Sequence, residues 1–514
     1  MTRRELLGSA SLSLAAFAAR GADARGGQDL DFASALSAAA AIKSKKVSSV
    51  ELTRHMFDRI DKYNPKLNTF AYQMRDQALA QARQADEALS SGVRPGPFHG
   101  VPICVKESFG VKGEPDTWGI PALKGSKAPA NSAVVERLLD AGAVLLGGTN
   151  VPLNLMDWQS YNEIYGTTNN PWDLTRTPGG SSGGSAAALA AGLAYLSAGS
   201  DIGGSLRVPA HFCGVYSHKP TLDLVSMRGH VPGGIAGLPG FSTGLAVAGP
   251  MARSAADLMA AVGILGGADG YDRKAWSWTL PPPRRRVLKE FRIGYVLDSP
   301  LAAPTSEVRP VLERVIAALE TAGAHTQAGW PAGYDLNAAY ENYTFLLGAF
   351  SFSEEGKAQQ EAERKQYEQN PSPYGAGALS SYAQWQQHHF SQLAARAMWQ
   401  RYFEQIDVFL MPAGFTTAMH HDHQGDSSTR SIDTPDGKRP YMQLMPWMVT
   451  ATLTGCPATV APVGLTAGGL PVGIQILGPF WEDATPIEFA SLLEREIGGF
   501  KPPPGLSRMH AYRR

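Results

Sequence analysis

The sequence predicts an α/β fold. Two observations carry that prediction. Short apolar runs of strand length, of which Val101-Pro102-Ile103-Cys104-Val105 is the clearest, alternate along the chain with segments of helical period. The chain is also long, at 514 residues, with 44% hydrophobic and 18% charged residues. That is enough apolar material for a large core, in one big domain or two to three ordinary ones, and it excludes a disordered chain.

The elements follow in order. Arg3-Arg4 precede a small and apolar stretch that ends near Ala19, and Ala22-Asp23-Ala24 follows. This pattern predicts a cleaved export signal over residues 1–24, with Ala16-Phe17-Ala18 as an alternative cleavage site. The paired arginines point to the twin-arginine route. The apolar run is too short to span a bilayer, which takes about 20 residues. A mature chain of residues 25–514 would then work in the periplasm or otherwise outside the cytoplasm. An amphipathic N-terminal helix on a cytoplasmic protein is the alternative. No later segment suggests a membrane span.

Residues Asp31 to Leu89 read as helical. Ser48 followed by Glu51 is a capping box, and Leu52, Met56 and Ile60 share a face. Gly100 to Lys106 reads as a buried strand ending on a lysine. Ala133 to Asp140 reads as a helix stopped by Gly142, and Ala143 to Leu146 as the next strand. Residues 176–240 are rich in Gly and Ser. Pro281-Pro282-Pro283 and Arg284-Arg285-Arg286 read as a solvated connection into a strand from Phe291 to Val296. Ser353 to Gln369 is a polar surface helix, and Val408 to Pro412 and Leu470 to Leu477 are further core strands.

Bulk charge narrows the function. Lys+Arg and Asp+Glu both number 46, so the basic excess expected of a nucleic-acid or anionic-membrane binder is missing. The three cysteines, Cys104, Cys213 and Cys456, are too few and too far apart for a disulfide framework, and no CxxC pair suggests zinc. They read as small buried hydrophobes.

The chemistry concentrates in Pro178-Gly179-Gly180-Ser181-Ser182-Gly183-Gly184-Ser185 and, after an alanine-rich helix, in Ser200-Asp201-Ile202-Gly203-Gly204-Ser205-Leu206-Arg207-Val208-Pro209-Ala210. A glycine-rich loop entering a helix can bind phosphate, but the Gly-Lys-Ser/Thr ending of a P-loop is replaced here by Gly184-Ser185-Ala186. Gly179-Gly180-Ser181-Ser182-Gly183 also satisfies the nucleophile-elbow string G-x-S-x-G. That motif needs a preceding strand, and the polar Asn170 to Thr177 is a loop. Histidines do follow, at His388, His389, His420, His421 and His423, so composition alone leaves a triad open.

Both blocks resemble the signature of the amidase signature family. So do Gly100 to Lys106, Gly148-Thr149-Asn150-Val151-Pro152, Phe212-Cys213-Gly214-Val215, His218-Lys219-Pro220-Thr221, Thr454 to Ala458 and Gly469 to Gly473. The resemblance implies one large domain with a mixed, twisted β-sheet covered on both faces by helices. It implies a Ser-cisSer-Lys triad, with Ser205 as nucleophile, Ser181 as bridging serine and Lys106 as base. Backbone N–H groups of Ile202, Gly203, Gly204 and Ser205 would form the oxyanion hole, and Asp201 and Arg207 would shape the loop.

The residue types suit amide hydrolysis. A serine hydroxyl attacks only when a base takes its proton. A lysine is such a base only when neutral, and burial must lower its ordinary pKa of about 10.4. Lys106 ends an apolar strand, where desolvation is expected. Glycine permits the tight turn that converges N–H groups on an oxyanion, each worth about 3–4 kcal/mol. Asn154 to Asn162 should lie beside the nucleophile. Its Leu155, Met156 and Asp157, together with Ser182, are the expected substrate contacts, and Met156, Trp158 and Tyr161 suggest an apolar or aromatic acyl group. Asp157 is expected to orient the substrate amide. This chemistry needs no metal or cofactor, and His420-His421-Asp422-His423 reads as a solvated loop.

The expected function is hydrolysis of a small amide through an acyl-enzyme. Alternatives are the glutaminase subunit of a tRNA-dependent amidotransferase, or ester or carbamate hydrolysis on the same scaffold. The expected partner is a small-molecule amide, with no nucleic acid and no stable membrane insertion; a homodimer is compatible with the sequence. Residues 1–30 fused to a reporter should carry it out of the cytoplasm, and replacing Arg3 and Arg4 by lysine should stop this. Fractionation that leaves the fused reporter in the cytoplasm would refute the export signal.

Overall fold

Among the described residues, eleven strands form one mixed sheet, with a spatial order far from their order in the chain. The computed structural model describes residues 30–233, 239–240, 242–353 and 357–506; the expected export signal lies outside these. The sheet strands are β1 (Phe70–Gln73), β2 (Pro102–Lys106), β3 (Val144–Thr149), β6 (Leu196–Asp201), β7 (Tyr216–Lys219), β8 (Val247–Ala252), β9 (Arg292–Tyr295), β10 (His325–Ala328), β11 (Val408–Pro412), β14 (Ala458–Leu465) and β15 (Pro471–Leu477). The other strands form two small hairpins: β4 (Tyr161–Asn162) with β5 (Gly166–Thr167), and β12 (Ser431–Thr434) with β13 (Gly437–Pro440). Across the large sheet the order is β1-β3-β2-β6-β8-β7-β14-β15-β11-β9-β10. The β3-β2-β6 segment is parallel, the β6-β8-β7-β14-β15-β11 segment antiparallel, and β9 pairs in parallel with both β11 and β10. Helices flank the sheet, as an α/β domain requires.

Each element has a local cause. Helix Ser49–Leu67 begins at the expected capping box, with Ser48 and Glu51 exchanging hydrogen bonds. It stops at Asn68, which adopts the left-handed conformation at φ 50°. Beyond it the chain departs from the continuous helical reading of residues 31–89. Phe70–Gln73 is a four-residue strand, antiparallel to β3, between two helices. A strand that short shows no period of its own. What selects it is β3: a Cβ on Gly147 would sit 2.2 Å from the Tyr72 carbonyl oxygen, so the close pairing depends on glycine there.

Helix Ala133–Asp140 and strands β11 and β15 fall where the pattern predicts. The Arg284–Arg286 turn is less solvated than its composition suggests. Arg284 pairs with Glu482 at 2.6 Å and donates to the Phe403 and Ile406 carbonyls, and Arg285 reaches Asp407. All three cysteines are buried and unpaired. Among the described residues no helix is long and apolar enough to cross a membrane.

Two apolar clusters matter for position. One spans the sheet from Leu52, Met56 and Ile60 through Val101, Ile103 and Val105 to Ile474 and Ile476. The other is aromatic and gathers Trp158, Tyr343, Trp399, Phe409, Tyr441 and Trp447. Helix Gly183–Ala190 has all eight residues buried, and its Ala186, Ala187, Leu189 and Ala190 pack in a third, smaller cluster with Leu206, Ala210 and Val460. It is built of small residues because its neighbours are close. A Cβ on Gly184 would lie 2.6 Å from the backbone N and O of Asn150.

Candidate active site

Parallel pairing of β2 and β6, in which Cys104 faces Ser197 and Val105 faces Ala198, brings the C-terminal ends of both strands together. Lys106 ends one and Ser200-Asp201 ends the other. All three residues are buried, Lys106 completely. The Lys106 Nζ donates to Ser181 Oγ at 2.6 Å and to Ser200 Oγ at 2.9 Å. Burial pulls its pKa down to about 7, against the opposing pull of the Asp201 and Glu107 charges. Lys219 is also fully buried and lowered by burial to about 8, but its amine meets the Pro220 carbonyl and no serine. Lys106 is therefore the lysine that meets the serine cluster.

Ser181 reaches Lys106 from the glycine-rich loop. The Gly180–Ser181 peptide is cis. Gly180 has to be glycine, because a Cβ would fall 2.3 Å from the Asp157 carbonyl oxygen. Ser160 Oγ fastens the loop by donating to the Gly179 carbonyl at 3.0 Å while accepting from Gly183 N–H at 3.2 Å. The Ser205 carbonyl accepts from Ser182 N–H at 3.1 Å, which sets the two serine segments side by side. The structure thus brings Lys106, Ser181 and Ser205 to one place. Lys106 to Ser181 is a direct hydrogen bond, and Ser205 joins through its backbone.

The loop carrying Ser205 is held by a buried ion pair. Asp201 accepts from Arg207 at 2.8 and 3.0 Å, and from Gly204 N–H at 2.9 Å and Leu206 N–H at 3.0 Å. Burial alone would raise the Asp201 carboxyl, but the Arg207 guanidinium and these donors hold it down at about 2. Arg207 also donates to Gln475 Oε1, Thr452 Oγ1 and the Met448 carbonyl. Of the expected oxyanion donors, Gly204 is thus turned toward Asp201. The Gly203 and Ser205 N–H groups meet no protein acceptor among the described residues. The Ile202 carbonyl accepts from the Tyr343 hydroxyl at 2.9 Å and the Gly203 carbonyl from Trp158 Nε1 at 2.9 Å.

The expected substrate contacts divide. Leu155 and Met156 lie on an open turn, with Met156 59% exposed and neighbouring Leu153 51%. Asp157 differs from the expectation of a carboxylate offered to a substrate amide. Both its oxygens are engaged: Arg430 donates to one at 2.6 Å and the Tyr441 hydroxyl donates to the other. Arg430 also donates to Tyr161 and the Gly425 carbonyl, so it straps residues 424–430 to this segment. Ser182 differs as well. Its side chain is fully buried and its hydroxyl donates inward to the Ser200 carbonyl at 3.3 Å. The His420–His423 loop is half-buried rather than fully solvated, with His423 stacked on Tyr161 at 3.6 Å. Among the described residues no cluster of three or more His, Cys, Asp or Glu could hold a metal ion.

Sequence reasoning missed Ser200, Tyr343, Arg430 and Glu107. Glu107, next to Lys106, accepts from Thr117 N–H and hydroxyl, Trp118 N–H and the Tyr165 hydroxyl. The Trp118 carbonyl in turn accepts from Asn154 N–H at 2.8 Å, so Glu107 braces the segment beside the loop. Ser200 stood inside a recognisable block, but only strand pairing shows that it faces Lys106. Tyr343 and Arg430 carry no signal near the motifs.

The amidase family model matches residues 51–486, most of the chain. The chain belongs to the amidase family. It is an amidase-signature amide hydrolase, a class that uses a Ser-cisSer-Lys triad. Among the relatives of this amidase are two proteins named as a component of glutamyl-tRNA(Gln) amidotransferase. The one from Cyanothece sp. is 31% identical over 467 residues, covering 85% of this chain and 92% of the relative. The one from Anaeromyxobacter sp. is 32% identical over 497 residues, covering 91% and 96%. A crystal structure described as an amidase superposes with a TM-score of 0.74 at 26% identity, covering 91% of this chain and all of the other. A bacterial aryl acylamidase of the amidase signature family shares the fold, with a TM-score of 0.76 at 24% identity over 92% and 97% of the two chains.

Replacing Arg207 by leucine strands the buried Asp201 carboxylate. The expected cost is about 3–5 kcal/mol of stability. It should appear as a lower urea midpoint; a midpoint equal to that of the parent would show that the pair does not hold the loop.

Proposed function

We propose that this amidase hydrolyses the amide bond of a small apolar or aromatic acyl amide through an acyl-enzyme on Ser205. The observation that carries the proposal is the fully buried Lys106 amine donating to Ser181 Oγ at 2.6 Å, beside the segment that bears Ser205. With its pKa lowered to about 7, half of Lys106 is neutral near that pH and can accept a proton. Lys106 takes the Ser181 proton, Ser181 takes that of Ser205, and Ser205 Oγ attacks the carbonyl carbon. The Gly203 and Ser205 N–H groups, with that of Ile202, stabilise the oxyanion. The proton returns through Ser181 to the departing nitrogen, the C–N bond breaks, and the amine or ammonia leaves. Water, deprotonated by the same relay, then attacks the ester carbonyl and frees Ser205.

The apolar acyl group is supported by the exposed Met156 and Leu153 beside the loop and by the Trp158–Tyr441 ring contact at 5.4 Å behind it. Leu155 and Met156 are the proposed substrate contacts; Asp157 and Ser182 act from within the wall. Esters and carbamates fit the same acyl transfer. The relatives' name supports a second reading, a glutaminase-type component of an amidotransferase. Export to the periplasm, proposed for residues 1–24, separates the two, because tRNA amidation is cytoplasmic chemistry.

A fluorophosphonate probe should label the parent enzyme and fail on Ser205→Ala; persistent labelling of that variant would refute the nucleophile. Lys106→Ala should lower kcat/KM by about 10²–10⁴-fold. The sign of the pH dependence follows from the depressed lysine: the active, neutral form is lost as pH falls below about 7 and gained above it. kcat/KM on an anilide should rise with pH through that region, and a profile flat from about pH 6 to 9 with chemistry rate-limiting would exclude a neutral-lysine base.

A further inference from the structure

We propose that Tyr343 is a positioning residue for the oxyanion site, holding the Ile202 carbonyl so that the Gly203 N–H faces the reacting carbonyl. The inference rests on the assignment of Ser205 as nucleophile. In a trans peptide the C=O and N–H point in opposite directions. The bond between Ile202 and Gly203 is not cis; Gly180–Ser181 is the cis bond among the described residues. The Tyr343 hydroxyl donates to the Ile202 carbonyl at 2.9 Å. The same peptide plane therefore turns the Gly203 N–H away from helix Leu336–Ser353, which carries Tyr343, and that N–H meets no protein acceptor among the described residues.

The next peptide supplies an internal comparison. Trp158 Nε1 grips the Gly203 carbonyl at 2.9 Å, and at the opposite end of that plane the Gly204 N–H donates to Asp201 at 2.9 Å. Two consecutive peptides are gripped at their carbonyls by aromatic donors. One has its N–H tied to the protein, and the other has it free. Glycine imposes little preference on this stretch, so without the grips the free donor would lack a fixed direction. The grip itself is rigid. Tyr343 is fully buried, and a Cβ added to Gly203 would come 3.3 Å from its hydroxyl and 3.4 Å from Met445 Cε. Burial, aided by the Asp201 charge, pushes the phenol pKa up, so the hydroxyl keeps the proton it donates.

The test compares the parent with Tyr343→Phe in anilide hydrolysis and in inhibition by an aryl trifluoromethyl ketone, which forms a tetrahedral oxyanion on the serine. The variant should lose about 10–100-fold in kcat with KM held within about twofold, and its Ki for the ketone should rise by the same factor as kcat falls. A merely structural role would not tie these two quantities together. Unchanged kcat, or a loss confined to KM, in a variant that unfolds like the parent would overturn the proposal. Should Tyr343→Phe not fold, 3-fluorotyrosine placed at position 343 keeps the shape and strengthens the donor. It should raise kcat and tighten ketone binding together, and unchanged or weaker binding would overturn the proposal. Ser205→Ala separates the two assignments: activity surviving in that variant removes the nucleophile, whereas a dead Ser205→Ala beside a normal Tyr343→Phe removes only the role of Tyr343.

Discussion

A fully buried amine whose hydrogen-bond partners are two hydroxyls is the constraint on which the site depends. Lys106 would be a permanent ammonium if a carboxylate touched it, and two carboxylates stand next to it in the chain and the sheet. Glu107 follows it directly, and Asp201 follows its partner Ser200 at the end of the adjacent strand. Both are engaged elsewhere. Glu107 faces Thr117, Trp118 and Tyr165, and Asp201 faces Arg207 and the N–H groups of its own loop. Their charges still favour the ammonium, but desolvation is the larger influence. The separation of these carboxylates from the amine is what leaves the lysine able to act as a base.

The same two carboxylates do architectural work. Each takes several donors from one loop, and each loop is a wall of the site. Asp201 shapes the turn that carries Ser205. Glu107 holds the Thr117–Trp118 turn, which fastens Asn154 and the open segment with Leu155 and Met156. Charge that would spoil the base if it were aimed at Lys106 instead fixes backbone geometry, because an ionised acceptor strengthens each hydrogen bond it receives. Arg207 completes this logic by offering one fork to Asp201 and the rest to Gln475, Thr452 and the Met448 carbonyl, so the loop is anchored to β15 and to helix Pro446–Thr454.

What was legible in the sequence had a local cause. The strand ending on Lys106, the helix Ala133–Asp140 and the capping box at Ser48 each follow from a period or a short-range hydrogen bond, and the structure has them. The serine–glycine blocks were legible through family resemblance, and pairing of β2 with β6 places them around the lysine. What stayed hidden depends on partners far along the chain. β1 exists because β3 offers it an edge with a glycine. The Asp157 carboxylate looked free until Arg430 and Tyr441, more than 270 residues later, were seen to take both its oxygens. Ser182 is buried like Ser181 beside it, and its hydroxyl donates to the Ser200 carbonyl 18 residues on, a contact that only the folded chain makes.

The division of labour between near and far residues has a physical basis. Residues that exchange protons must touch, and the motif blocks supply them on adjacent strand ends. Residues that fix where an N–H points need only hold the other end of the peptide, which can face away from the chemistry. The Ile202 and Gly203 carbonyls accordingly meet donors from outside their own block, Tyr343 on a distant helix and Trp158 on the preceding loop. A glycine-rich turn has little intrinsic order, so its precision has to be imported. The aromatic cluster that contains both donors supplies that order, and a buried cluster of large rings is among the least deformable surroundings a fold can provide.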